Sequence, residues 1–122
     1  MKATEIMIGD RLAYRGQFAA FDFRVEQVTK HKIGYHVEPG ESRMHYLRLN
    51  EVQPIPLTPE ILERNKIRYQ FGMPWYQGGA DGVFEFRYRS DDDTTEVKKP
   101  VRYVHELHHI LMECGIVKEV EL

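Results

Sequence analysis

Along the first half of the chain, apolar residues recur at every second position. Leu12 and Tyr14 alternate with charged or small residues, Phe21, Phe23 and Val25 with Asp22 and Arg24, and Ile33, Tyr35 and Val37 with Gly34 and His36. Met44 and Tyr46 continue the period on one face, or His45, Leu47 and Leu49 on the other. Successive strand side chains point to opposite faces, so the pattern predicts four or five short, half-buried strands. Gly16, Lys32 and Pro39-Gly40 punctuate them, and Ile8-Gly9-Asp10-Arg11-Leu12 reads as a turn feeding the first strand. Short strands at this spacing predict a small antiparallel β-barrel of SH3-like form.

The period ends at Pro54-Ile55-Pro56-Leu57-Thr58-Pro59. Proline has no N–H for a ladder, so this reads as an extended connector. It leads into a helix predicted over 59–64, with Thr58 as N-cap and Pro59 at the first helical position. Leu57 and Leu62 occupy the two positions of a hydrophobic staple, Glu60 and Glu63 lie near the positive end of the helix dipole, and Asn65 reads as a left-handed exit. Beyond it, Ile67, Tyr69 and Phe71 alternate, Trp75-Tyr76-Gln77 resumes the pattern, and Gly78-Gly79-Ala80-Asp81-Gly82 forms a flexible hairpin tip. Residues 83–89 alternate cleanly, with Phe84, Phe86 and Tyr88 on one face and Glu85, Arg87 and Arg89 on the other. A short strand at 96–98, a helix over 101–113 closed by Gly115, and a terminal strand through Ile116, Val117, Val120 and Leu122 complete the pattern. The expected fold is α+β: a barrel-like half over 1–57, then short helix, β-hairpin, C-terminal helix and terminal strand over 58–122, packed as one compact unit.

Composition narrows the function classes. The chain has 122 residues, 17 Lys and Arg against 19 Asp and Glu, and a net charge of −2. That balance disfavours a strongly basic nucleic-acid binder, and the residues after the connector carry nine basic side chains against twelve acidic. No apolar run approaches the ~20 residues of a membrane span. No secretory signal is visible at the N-terminus, and one cysteine, Cys114, excludes an internal disulfide framework. A cytoplasmic protein is expected, with no cofactor.

The sharpest motif is His105-Glu106-Leu107-His108-His109, which satisfies H-E-x-x-H on a segment predicted helical. His105 and His109 share a helix face and could ligate one Zn²⁺, with Glu106 activating a bound water. Helix phase argues against it. With Val101 at zero and about 100° per residue, Tyr103, Val104, Leu107, Ile110, Leu111 and Cys114 span about 180° to 300°, while His105 and His109 fall near 40° and 80°. The two imidazoles are therefore expected on a solvated face, with His108 nearer the core edge and Cys114 a buried, inert thiol. A catalytic zinc also needs a third protein ligand. No histidine follows His109, which leaves Glu113, Glu119, Glu121 or a group from the first half.

The remaining candidates are weaker. His31, His36 and His45 lack ligand spacing, and Asp91-Asp92-Asp93 lacks the glycine and late glutamate of a Ca²⁺ loop and reads as a solvated turn. The Gly78–Gly82 loop lacks the Lys-Ser/Thr ending of a phosphate loop. Trp75 and Tyr76 beside Gly78 and Gly79 are candidates for a partner-binding patch, against the alternative that Trp75 packs on the second helix. Phe84, Phe86 and Tyr88 with Arg87 and Arg89 are similar to sheet faces that stack bases, and equally to one face of any half-buried strand.

The opening Met-Lys-Ala…Ile-Gly-Asp, the middle Pro-Ile-Pro-Leu-Thr-Pro-Glu-Ile-Leu and the late Arg-Tyr-Val-His-Glu-Leu-His together resemble a group of small uncharacterised proteins of bacterial prophage and mobile elements. The resemblance runs in outline over the whole chain. In that group the position of Glu106 is often an amide and that of His109 often not histidine, which implies a fortuitous motif. It further implies a phage-type accessory protein and carries no activity or site residues. The leading expectation is a non-enzymatic binding or adaptor module with a protein partner. The alternatives are a zinc-dependent hydrolase using His105, Glu106 and His109, and a nucleic-acid-binding accessory protein.

Overall fold

The computed structural model describes residues 1–38, 40–67, 73–89 and 96–122. They form an α+β protein with nine strands in three antiparallel sheets and two α-helices. The chain divides into two compact units, Met1–Ile55 and Pro56–Leu122, inside the proline-rich connector and two residues before the division expected from sequence.

In the first unit, β1 (Arg11–Arg15) lies between β2 (Ala20–Arg24) and β6 (Val52–Pro54). A second sheet places β4 (Lys32–Tyr35) between β3 (Gln27–Val28) and β5 (His45–Arg48). The alternation that predicts these strands also builds their core. Ile6, Leu12, Phe23, Val25, Ile33, Tyr35 and Val52 form one buried cluster, flanked by half-buried Tyr14, Phe21, Val28, Leu47 and Leu49. The turn before β1 is closed by Asp10, whose carboxylate accepts the Met7 N–H at 2.9 Å, and Gly9 supplies a φ of 96°. Val25 donates to the Asp10 carbonyl at 2.8 Å and accepts from the Gly9 N–H at 2.8 Å. Val25 thus extends the β1–β2 pairing onto the Gly9-Asp10 turn, and from Glu26, whose N–H donates to the Gly34 carbonyl at 2.9 Å, the chain joins the second sheet. Among the described residues no ladder closes the two sheets into a barrel.

The second unit opens on α1 (Pro59–Arg64), with the predicted bounds. The Thr58 side chain accepts the Ile61 N–H at 3.3 Å, Pro59 takes the first turn, and Leu57 and Leu62 are both buried. The exit differs from expectation. Lys66, not Asn65, has the left-handed backbone (φ 56°), and the Ile67→Leu62 and Lys66→Glu63 bonds make a Schellman motif around it. Asn65 is instead fully buried, at 0% exposure. Its Nδ2 donates to the Ile61 carbonyl at 2.7 Å and the Glu121 carbonyl at 2.8 Å, and its Oδ1 accepts the Glu121 N–H at 2.8 Å. The terminal strand expected from Ile116, Val117, Val120 and Leu122 does not form: residues 116–122 pair in no ladder among the described residues, and the Asn65 side chain holds them at Glu121. Arg64 to the Leu122 carbonyl and Lys118 to the Asn65 carbonyl (2.7 Å) reinforce it.

The third sheet follows the order β7 (Trp75–Gly78), β8 (Phe84–Arg89), β9 (Glu96–Val101). The expected strand residues Tyr69 and Phe71 and the triplet Asp91-Asp92-Asp93 lie outside the described residues. Strand β9 runs past the predicted 96–98 to Val101, which pairs with Phe84. Pro100 is tolerated because β9 is an edge of this sheet among the described strands. The second helix, α2 (Val104–Glu113), consequently starts three residues later than expected. It ends as predicted at Gly115 (φ 76°), with Ile116→Leu111 and Gly115→Met112 bonds completing a second Schellman motif.

Candidate functional site

The H-E-x-x-H residues occupy the first turns of α2. Glu106 is the third residue of the helix, and its Oε1 accepts the backbone N–H of Arg102 (2.9 Å) and of Tyr103 (3.0 Å). A helix leaves its first N–H groups without intrahelical acceptors, and a Glu at this position reaching back to the cap satisfies them. One oxygen of the carboxylate that the zinc reading needs as a base thus caps the start of the helix.

The histidines depart from the expected solvated face. His105 is only 7% exposed, His108 is buried and His109 is half-buried. The His105 ring stacks on Tyr103 (centroids 5.9 Å apart) and meets His109 edge-on at 5.6 Å. A helical wheel records rotation but not position along the axis. Met112 shares the rotational sector of His105 yet is exposed, two turns further on, where the burial has ended. Cys114, also near that end, is partly exposed rather than buried. Among the described residues no third His, Cys, Asp or Glu completes a set of ligand atoms within 4.8 Å that includes both His105 and His109, nor one that includes His31, His36 or His45. His36 pairs with Glu26, and His45 with Glu41 at 3.1 Å. The His45 hydrogen bond holds the Glu41 carboxyl below its ordinary range despite some desolvation.

Strand alternation separates the two aromatics of the expected binding patch. Tyr76 opposes Phe86 and faces inward, its ring 5.4 Å from Phe86 and 5.9 Å from Phe84. Phe84, Phe86 and Tyr88 share that face and are all buried, so they cannot stack bases. The face is tied to α2 through Glu113, which accepts from the Tyr88 hydroxyl and from Lys99 at 3.3 Å. Burial pushes the Glu113 carboxyl up, but the bonds from Tyr88 and Lys99 outweigh it and leave the group below its ordinary value. Burial and the Glu113 carboxylate raise the Tyr88 phenol.

Trp75 points the other way and is 49% exposed, rather than packed on α2. It opposes Arg87, and Arg87 opposes Lys98, so Trp75, Arg87 and Lys98 form one row across the outer face. The Arg87 guanidinium lies 5.4 Å from the Trp75 ring centroid, within cation–π range. Its Nε is buried without a hydrogen-bond acceptor among the described residues. Two open depressions flank the row. One, of about 380 Å³, is lined by Trp75, Arg87, Arg89 and Glu96; the other, of about 480 Å³, includes Gln77, Glu85, Lys98 and Pro100.

Gly78 and Gly79 have a structural explanation. Both sit at positive φ (85° and 105°), and a Cβ on Gly79 would overlap the Phe84 ring. The tip they begin is tied by the Gly82→Gly79 bond and by Asp81 accepting the Val83 N–H, both at 3.1 Å. They shape the hairpin that presents Trp75. The sequence signal for the exposed row was the alternation of 83–89, which already separated Arg87 and Arg89 from the buried aromatics; the pairing of Arg87 with Trp75 depends on register and was not legible. Among the described residues no helix is long and apolar enough to cross a membrane. No protein family, curated protein or solved structure matched the chain.

Proposed function

We propose that the protein is a non-enzymatic binding or adaptor module, a phage-type cytoplasmic accessory protein whose first unit is an SH3-like roll and whose partner is a protein. The docking surface is the outer face of the β7–β8–β9 sheet. One observation carries this reading: Trp75 stands half-exposed in a sheet face, under the guanidinium of Arg87. An exposed apolar residue alone is ordinary, and Phe18 in the β1–β2 turn is such a case. Trp75 differs because two cations continue its row. Arg87 and Lys98 oppose each other directly, an arrangement that costs stability unless an anion lies between them. Neither makes an ion pair among the described residues. Tryptophan and arginine are also the side chains that dominate binding energy at protein interfaces. The partner chemistry that fits is a segment with an apolar side chain against Trp75 and carboxylates on Arg87 and Lys98.

Trp75 is the only tryptophan in the chain, so its emission reports on this face alone. Titration with peptides that combine acidic and apolar residues is expected to give a saturable change in emission, absent in Arg87→Ala. Failure of acidic, neutral and basic peptides alike to perturb the emission would contradict the proposal.

A further inference from the structure

The first unit carries a separate concentration of unpaired positive charge. Lys32 in β4 and Arg48 in β5 are direct cross-strand partners, and both are exposed. Like charges facing each other across a ladder destabilise a sheet. The β3–β4 turn adds Lys30 and His31, both exposed, and is held by Lys32 N–H donating to Thr29 Oγ1 at 3.1 Å. The His31 carbonyl accepts the Leu49 N–H at 3.1 Å, which fixes this turn beside the exit of β5. His31, Lys32, Arg48, Leu49 and Asn50 line an open depression of about 340 Å³ with no acidic side chain in its lining. The nearby Glu51 directs its carboxylate to the Arg48 backbone N–H at 3.0 Å. Among the described residues Lys30, Lys32 and Arg48 make no ion pair.

We propose that this end of the first unit binds the phosphodiester backbone of nucleic acid. Three cations spread along an open sheet end fit a chain of phosphates better than a single enclosed anion, which would call for converging N–H donors. The charge is local. Met1–Ile55 holds eight basic side chains against seven acidic, while Pro56–Leu122 holds nine against twelve, so the interaction is confined to this patch and is weak. The proposal is independent of the Trp75 face.

The test is fluorescence anisotropy of a labelled, mixed-sequence duplex DNA with the full chain over a series of salt concentrations. Three neutralised phosphates give a slope of log K against log salt of about −2.7, and each cation removed lowers its magnitude by about 0.9. Lys32→Glu puts an acid opposite Arg48, so it is expected to raise the melting temperature while weakening DNA binding, which separates the binding role from a folding defect. Trp75→Ala is expected to leave the slope unchanged. Absence of DNA binding at the lowest salt overturns the proposal. So does a slope unaffected by Lys32→Glu with Arg48→Glu, or a patch that takes acidic peptides but not DNA.

Discussion

Replacing Glu106 tests whether its carboxylate caps α2. The Glu106 Oε1 accepts two backbone N–H groups at the entrance to α2. Glu106→Ala removes that acceptor, and lost caps cost about 0.5–2 kcal/mol. It also removes a negative charge from the positive end of the helix dipole, a further 0.3–1 kcal/mol or so. Water reaches the exposed Arg102 N–H and recovers part of this, so the expected loss is about 1.5 kcal/mol, a fall in melting temperature of roughly 5–10 °C. Glu106→Gln keeps a side-chain oxygen in place and loses only the charge, so it is expected to cost about 0.5 kcal/mol. Thermal and urea unfolding at neutral pH, followed by circular dichroism, measure both. A glutamine variant as unstable as the alanine variant would refute the capping role, as would two variants that match the parent.

Asn65→Ala removes three hydrogen bonds from a fully buried site and is expected to cost about 2–4 kcal/mol; the Glu121 amide should lose its hydrogen-exchange protection, and a protected Glu121 would argue that the tail is held otherwise. Gly79→Ala places a Cβ against the Phe84 ring at a φ of 105° and is expected to cost about 2 kcal/mol or more in urea unfolding. The Glu113 carboxyl has a lowered pKa in the fold, so its contribution is present above the ordinary carboxylate range and is lost as pH falls through the lowered value. Tyr88→Phe removes one of the bonds responsible; its stability deficit, about 1 kcal/mol at pH 7, should shrink in acid, and a deficit constant with pH would contradict this.

Local chemistry carried most of the fold. Thr58, Pro59 and Gly115 mark helix ends by backbone rules that operate within a few residues, and α1 and the end of α2 fall where those rules put them. Features that depend on distant partners were not legible. The run Ile116, Val117, Val120, Leu122 has a strand's composition, but the buried Asn65 amide takes the Glu121 N–H and carbonyl that a ladder would have used. Val101 looked helical because nothing local says that Phe84 pairs with it. At the candidate site, alternation separated Arg87 from the buried aromatics, whereas the stacking of Arg87 on Trp75 follows from strand register alone. Helix phase puts His105 on a solvated face because rotation about a helix does not say which turn is covered.

The docking role of the outer sheet face is tested most directly by photocross-linking in living cells of the natural host. A photoreactive residue is placed at Gln77 or Arg89 on that face, and at Phe18 in the other unit as a control. A docking face here gives a discrete protein adduct from Gln77 and Arg89, lost when Trp75→Ala is added, and a different or empty pattern from Phe18. No adduct from either sheet position, or the same adducts from all three, would contradict it.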